Sequence, residues 1–239
     1  MVDNITAHFQ VHKNQNAVNE CLRRFRLNFP KIPIHIHGDA GDDFSYLKEL
    51  YNVEYKHWDN SISPRGLSGG NWRGYLERVL ITCKKYPNEW ILFLEEDVNT
   101  LHNNIIFPTS DFAGIRGHSL TAQLTNYIRT LHPHLTDIKF NMCGGSIAKM
   151  EALVKSIEFI FNENIDMDYI AKLDARTIKY SDVLISTILL LNGCIYSEWE
   201  QLSETASYIV KPNAVFDHSW KEFYNKDDWQ NFINYKDKK

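Results

Sequence analysis

The chain is poor in cysteine. Four occur in 239 residues, Cys21, Cys83, Cys143 and Cys194, and no two form a C-x-x-C pair. That spacing argues against a closed zinc site, and a chain of this size does not need disulfides to complete its core. A basic excess is missing as well. With 26 Lys and Arg against 30 Asp and Glu, the formal charge is −4, which excludes a duplex nucleic-acid binder built on a basic surface. The longest apolar runs, such as Val183 to Leu191, are too short to cross a bilayer. The opening Met-Val-Asp-Asn lacks the charged and apolar regions of a signal peptide. The expectation is a soluble, cytoplasmic protein with no transmembrane segment and no nucleic-acid partner. Repeats at a solenoid period and low-complexity tracts are absent too.

What is present is ordinary globular material, 44% hydrophobic and 13% aromatic. That content can bury enough area to offset ordering entropy. No linker is long enough to separate domains, so residues 1–239 read as one domain. Its first half alternates two patterns. Ile5 to Val11, Ile34 to His37, Val53 to His57 and Trp90 to Leu94 read as strands. Ala17 to Phe29, Phe44 to Leu50 and Asn71 to Tyr86 read as helices, with Asn71 a candidate cap. Such alternation implies parallel strands with right-handed crossovers. The second half is less regular. Helices are expected over Ser119 to Leu131, Ile147 to Phe161 and Asp182 to Leu191, the last capped by Ser181. Strands are expected over Ile138 to Met142, Tyr208 to Val210 and Ala214 to Phe216.

In open α/β sheets ligands bind beyond the carboxyl ends of the strands. The apolar strand Trp90 to Leu94 ends there in Glu95-Glu96-Asp97. Three adjacent carboxylates leaving a buried strand repel one another, and a divalent cation would relieve that repulsion. Oxygen ligands from this turn, completed by a diphosphate and water, suit Mn²⁺ or Mg²⁺. The plainer alternative is a solvated acidic turn. His35 and His37 share one sheet face, where they could chelate a metal; the plainer reading is a pair of half-buried strand histidines. Arg78 could point back toward the site, and the plainer reading is a surface ion pair with Glu77 or Glu89. The aromatic residues of the tail from Trp220 to Lys239 suggest an amphipathic helix packed on the domain, with a partner or membrane surface as the alternative.

The segment WILFLEEDV resembles the strand and D-x-D-type motif of glycosyltransferases with the GT-A fold. Residues 5–43 are similar to the first strand–helix–strand of those enzymes. The resemblance implies an α/β, GT-A-like (Rossmann-like) fold, with a mixed, mostly parallel central sheet flanked by helices. A donor half would span about 1–100 and an acceptor half about 101–219, followed by the tail 220–239. It further implies that Asp39, and one or more of His8, Phe9 and Gln10, meet the nucleotide. Asp39 reads equally well as a residue of the turn Gly38 to Gly41. SGGNWRGYLERV resembles the helix that contacts the donor sugar and its phosphates, which places Asn71 and Arg73 at the donor with Glu95 and Glu96. FNMCGGSIAKMEAL resembles the strand–Gly-Gly–helix bordering the acceptor, which nominates Gly144 and Gly145; a turn needing positive φ is the alternative.

Asp182 matches the helix-start carboxylate that serves inverting members as catalytic base, with Asp174 in reserve; the plainer alternative is that it only complements the helix dipole. His218 matches a late histidine that joins the metal shell, giving Asp97, His218 and Glu95 as the metal set. The activity implied is metal-dependent, inverting transfer from a nucleotide sugar, UDP- or GDP-linked, to a hydroxyl of a glycan or glycosylated acceptor. Rival readings are a sugar nucleotidyltransferase, another phosphate-handling α/β enzyme, or a non-catalytic carbohydrate-binding protein. A nucleotidyltransferase would carry a Gly- and Lys-rich loop where this chain has Val11-His12-Lys13-Asn14.

Overall fold

A computed structural model describes residues 4–62, 71–115, 117–140, 142, 144–162, 165–203 and 211–218. The strands are β1 (Ile5–Val11), β2 (Ile34–Asp39), β3 (Glu54–Trp58), β4 (Trp90–Leu94), β5 (Asn99–Thr100), β6 (Phe112–Gly114), β7 (His118–Ser119), β8 (Lys139–Phe140), β9 (Ile147–Lys149), β10 (Tyr196–Glu198), β11 (Leu202–Ser203) and β12 (Phe216–Asp217). The α-helices are α1 (Gln15–Asn28), α2 (Leu47–Tyr51), α3 (Trp72–Lys85), α4 (Ala122–Leu131), α5 (Met150–Phe161), α6 (Met167–Leu173) and α7 (Ser181–Leu191).

Seven strands form the central sheet in the order β10-β6-β9-β4-β1-β2-β3. All run parallel except β9, which is antiparallel to both of its neighbours. The expected fold class, a mostly parallel sheet flanked by helices, is the one observed. Period-two alternation divides β4 between two cores. Trp90, Leu92 and Leu94 pack with Phe9, Leu22 and Phe25 on one face. Ile91 and Phe93 face α3, α5 and α7 on the other. Helix α7 is buried from Val183 to Leu191, which explains a run apolar on every side.

Several boundaries differ from expectation. Strand β2 runs on to Asp39, and the turn begins at Ala40 with a φ of 48°. The expected helix from Ile147 starts instead at Met150, because Ile147–Lys149 is drawn into the sheet between β4 and β6. The expected strand 138–142 shrinks to Lys139–Phe140, paired outside the main sheet with β7. Tyr180, not Ser181, is the N-cap of α7, and its side chain makes no capping bond. The expected strand 208–210 and the tail 220–239 lie outside the described residues. Among the described residues, no helix is long and apolar enough to cross a membrane.

Candidate metal centre and active site

Strand β4 delivers its acidic exit to the carboxyl edge of the sheet, where residues 95–98 form a turn closed by Val98 N–H donating to Glu95 O at 3.0 Å. A small second sheet, β11-β12-β5, then supplies the distant partner. Strand β5 begins two residues after Asp97, and β12 ends one residue before His218. Their antiparallel register sets Asp217 beside Asn99, which carries His218 back over the acidic turn. His218 Nε2 lies 2.9 Å from Asp97 Oδ1 and 3.3 Å from Glu95 Oε2. One donor atom from each of Glu95, Asp97 and His218 lies within 4.8 Å of the others. Adjacent ligands on an octahedral ion with bonds of about 2.1 Å stand roughly 3 Å apart, so the spacing suits Mn²⁺ or Mg²⁺. The two carboxylates suit either ion, and the imidazole sits better on Mn²⁺ than on the harder Mg²⁺. Asp97 and His218 are buried, whereas the Glu95 side chain is 36% exposed, which leaves one side of the cluster open.

Gly144 and Gly145 back this turn rather than opening it. A Cβ on Gly144 would stand 2.9 Å from the Glu95 Cβ and 2.6 Å from Val98 Cγ2. Gly145 has a φ of +87°, and a Cβ there would meet Leu202 at 2.6 Å. Of this pair, Gly145 adopts the positive φ that a turn requires, and Gly144 lies close against Glu95 and Val98.

The donor-side candidates are placed differently from one another. Phe9 is fully buried among core aromatics on the face away from α3, so its side chain has no route to a ligand. His8 faces α3 and is buried with His35 and His37 around one hydroxyl. Thr82 Oγ1 lies 3.0 Å from His8 Nδ1, 2.9 Å from His37 Nε2 and 3.2 Å from His35 Nδ1. Trp58 Nε1 donates to His37 Nδ1 at 3.0 Å, so neutral His37 carries its proton on Nε2 and donates to Thr82. Burial pushes His8 down to about 3, with the charges of His35 and Arg78 adding to it. Burial likewise lowers His35 to about 4, and His37 well below the usual imidazole range. This trio is neutral packing, not half-exposed strand polarity.

Asp39 is fully buried and held by three protein donors. Its carboxylate accepts from Ile62 N at 2.7 Å, Arg78 Nη1 at 2.9 Å and Ser61 Oγ at 3.0 Å. Arg78 is itself buried, donates to Asn60 O at 2.7 Å, and stacks on Trp58 at 4.9 Å. The expected surface pairing of Arg78 is therefore replaced by a buried ion pair that pins residues 58–62. Asn71 caps α3, its side chain accepting from Gly74 N at 3.3 Å. Arg73 is half-exposed, 3.8 Å from Glu77 and 4.7 Å from the Phe161 ring centre, which turns it from the sheet toward α5. Gly69 and Gly70 lie outside the described residues.

Asp182 stands in the first turn of α7, partly exposed, with its charge acting on both Arg176 and Tyr75. Asp174, the reserve carboxylate, is taken up by Arg176 at 2.7 and 2.9 Å and by Thr121 N at 3.1 Å. Sequence reasoning missed the inward stripe Tyr75–Arg78–Thr82 on α3 and the strand residues it covers. A signal existed: polar residues alternate at Thr6, His8 and Gln10, and again at His35, His37 and Asp39.

No protein-family profile matches the chain, and no curated protein matches it. Among solved structures it superposes on the galactosyltransferase LgtC, crystallised with donor and acceptor sugar analogues, with a TM-score of 0.51 and 10% identity over 89% of this chain and 86% of that one. It also matches S. aureus TarS, with a TM-score of 0.48 and 13% identity over 92% of this chain and 38% of that one. A TarS fragment in complex with UDP gives 0.48 and 14%, over 92% of this chain and 62% of that one. The chain thus spans less than two thirds of either TarS structure. The likeness to LgtC defines the fold as GT-A-like.

Proposed function

We propose that the protein is a metal-dependent glycosyltransferase that moves a sugar from a UDP- or GDP-linked donor to a hydroxyl of a glycan acceptor, with inversion. The observation that carries this reading is the Glu95–Asp97–His218 cluster, set at the carboxyl end of a central strand of a GT-A-like sheet and open on one side. Glu95, Asp97 and His218 would hold Mn²⁺ or Mg²⁺. The ion supplies positive charge against the departing diphosphate.

The remaining work falls to the chain. Asp182 accepts the proton of the acceptor hydroxyl. The acceptor oxygen forms a bond to the anomeric carbon while the bond from that carbon to the diphosphate oxygen breaks. The bonding electron pair leaves with the diphosphate. Backside attack in one step inverts the anomeric centre. The buried Asp39–Arg78 pair acts indirectly, by holding the exit of β3 in place.

The test is isothermal titration of UDP and GDP with and without Mn²⁺, followed by product analysis with the matching sugar nucleotides. Metal-dependent binding of one nucleotide and an inverted glycosidic product are expected. Tight binding without turnover would favour a carbohydrate-binding role, and no binding would defeat the reading.

A further inference from the structure

The backbone of Glu95 is held from two sides. Its carbonyl oxygen accepts from Val98 N–H at 3.0 Å and from the thiol of buried Cys21 on α1 at 3.4 Å. A carbonyl oxygen has two lone pairs, and both are in use here. The end of β4 is tied as firmly to residues 144–146. Phe93 N donates to Ser146 O at 2.9 Å, and Gly145 N donates to Phe93 O at 2.7 Å. These bonds fix the gap between the acidic turn and the glycine pair, so neither side can draw back to make room.

Gly144 is buried in that gap. A Cβ there would lie 2.9 Å from Glu95 Cβ, 3.0 Å from Glu95 Cγ and 2.6 Å from Val98 Cγ2. These neighbours yield poorly. Glu95 Cβ goes where the tethered backbone puts it, and Val98 is fully buried and stiff at χ1. Backbone conformation does not call for glycine at this position: Gly145 has a positive φ, and Gly144 does not. Where the backbone permits it, alanine in place of glycine stabilises a fold by restricting the unfolded chain. What calls for glycine at 144 is therefore the close approach of Glu95 and Val98. Glu95 belongs to the cluster with Asp97 and His218. With its Cβ and Cγ set against Gly144, its carboxylate stands 3.3 Å from His218 Nε2.

We propose that Gly144 is a positioning residue for the metal: its missing side chain sets where the Glu95 carboxylate stands, and with it the affinity of the cluster for a divalent cation. This rests on the metal-dependent reading above. The test is a double-mutant cycle on Mn²⁺ affinity, read from the electron paramagnetic resonance signal of free Mn²⁺. It compares wild type, Gly144→Ala, Glu95→Gln and the double variant, each with its melting temperature. Gly144→Ala should weaken Mn²⁺ binding about 10- to 100-fold, the range for loss of a residue that supports a metal ligand. In the Glu95→Gln background the same change should cost nothing further, because the carboxylate it positions is gone. Unchanged Mn²⁺ affinity in Gly144→Ala overturns the proposal. So does an equal loss in both backgrounds, which a general disturbance of the fold would produce. Either result leaves the metal assignment intact. Should Gly144→Ala fail to fold, the pair Val98→Ala with Gly144→Ala removes the 2.6 Å contact and keeps those on Glu95. Measured against Val98→Ala alone, that pair should show the same loss of Mn²⁺ affinity, and no loss overturns the proposal. A wild type that binds no Mn²⁺ overturns the metal reading and this proposal together.

Discussion

His218 Nε2 and Asp97 Oδ1 lie 2.9 Å apart although 121 positions separate them in the chain. The pairing of β12 with β5 brings them together, and that pairing is only two residues long on each strand. A short ladder of this kind needs support from its neighbours, which Phe216 supplies by packing on Phe29 and Trp199 at centroid distances of 6.1 and 5.9 Å.

The first prediction concerns the metal. His218→Ala removes one of the three proposed ligands and should weaken Mn²⁺-dependent nucleotide binding by at least about 10- to 100-fold, the range seen when a residue that merely supports a metal ligand is lost. Titration with and without chelator measures this. Full activity of the wild type in excess chelator would sink the metal assignment.

A second prediction tests the buried ion pair. Arg78→Met leaves the Asp39 carboxylate buried beside Ile62 N without its cation, and should cost about 3–5 kcal/mol in a urea unfolding experiment. Adding Asp39→Asn should recover part of that loss, because the stranded charge is then removed. A loss under about 1 kcal/mol for the single change would place the pair among surface bridges.

Acid stability follows from the histidine trio. His8, His35 and His37 are held below their unfolded value of 6.5, so below that pH the unfolded chain binds more protons than the native one. Their contribution is whole above about pH 6.5 and is lost as pH falls through 6.5 toward 4 and 3. Each histidine adds a slope of roughly 1.4 kcal/mol per pH unit inside its window. Urea midpoints from pH 8 to pH 4 should fall accordingly. A flat profile would show that the imidazoles are already charged or solvated.

Asp182→Asn keeps size and removes basicity. Turnover should drop by about 10²–10⁴-fold while nucleotide affinity and melting temperature stay near wild type. Normal turnover, or a product with retained anomeric configuration, would remove Asp182 from the mechanism. The metal assignment would stand, because it rests on other side chains.

Much of this molecule could be read from local pattern. The apolar run Ile91-Leu92-Phe93-Leu94 requires a strand buried on both faces, and its acidic exit at Glu95 and Asp97 is visible in the same few residues. The alternation of strands and helices through Lys85 needs only near-neighbour periodicity, so the class of sheet followed from it. Tertiary structure decided what periodicity cannot carry. Ile147–Lys149 became a sheet strand because β4 and β6 offered unpaired edges on both sides of it. Asp39 read as a nucleotide contact or a turn residue and Arg78 as a surface cation, and the two form a buried pair because α3 lies across β2. His218 acquired its partners only through contacts between segments far apart in the chain. Such contacts depend on how the elements close on one another, and the identity of neighbouring residues holds no record of that.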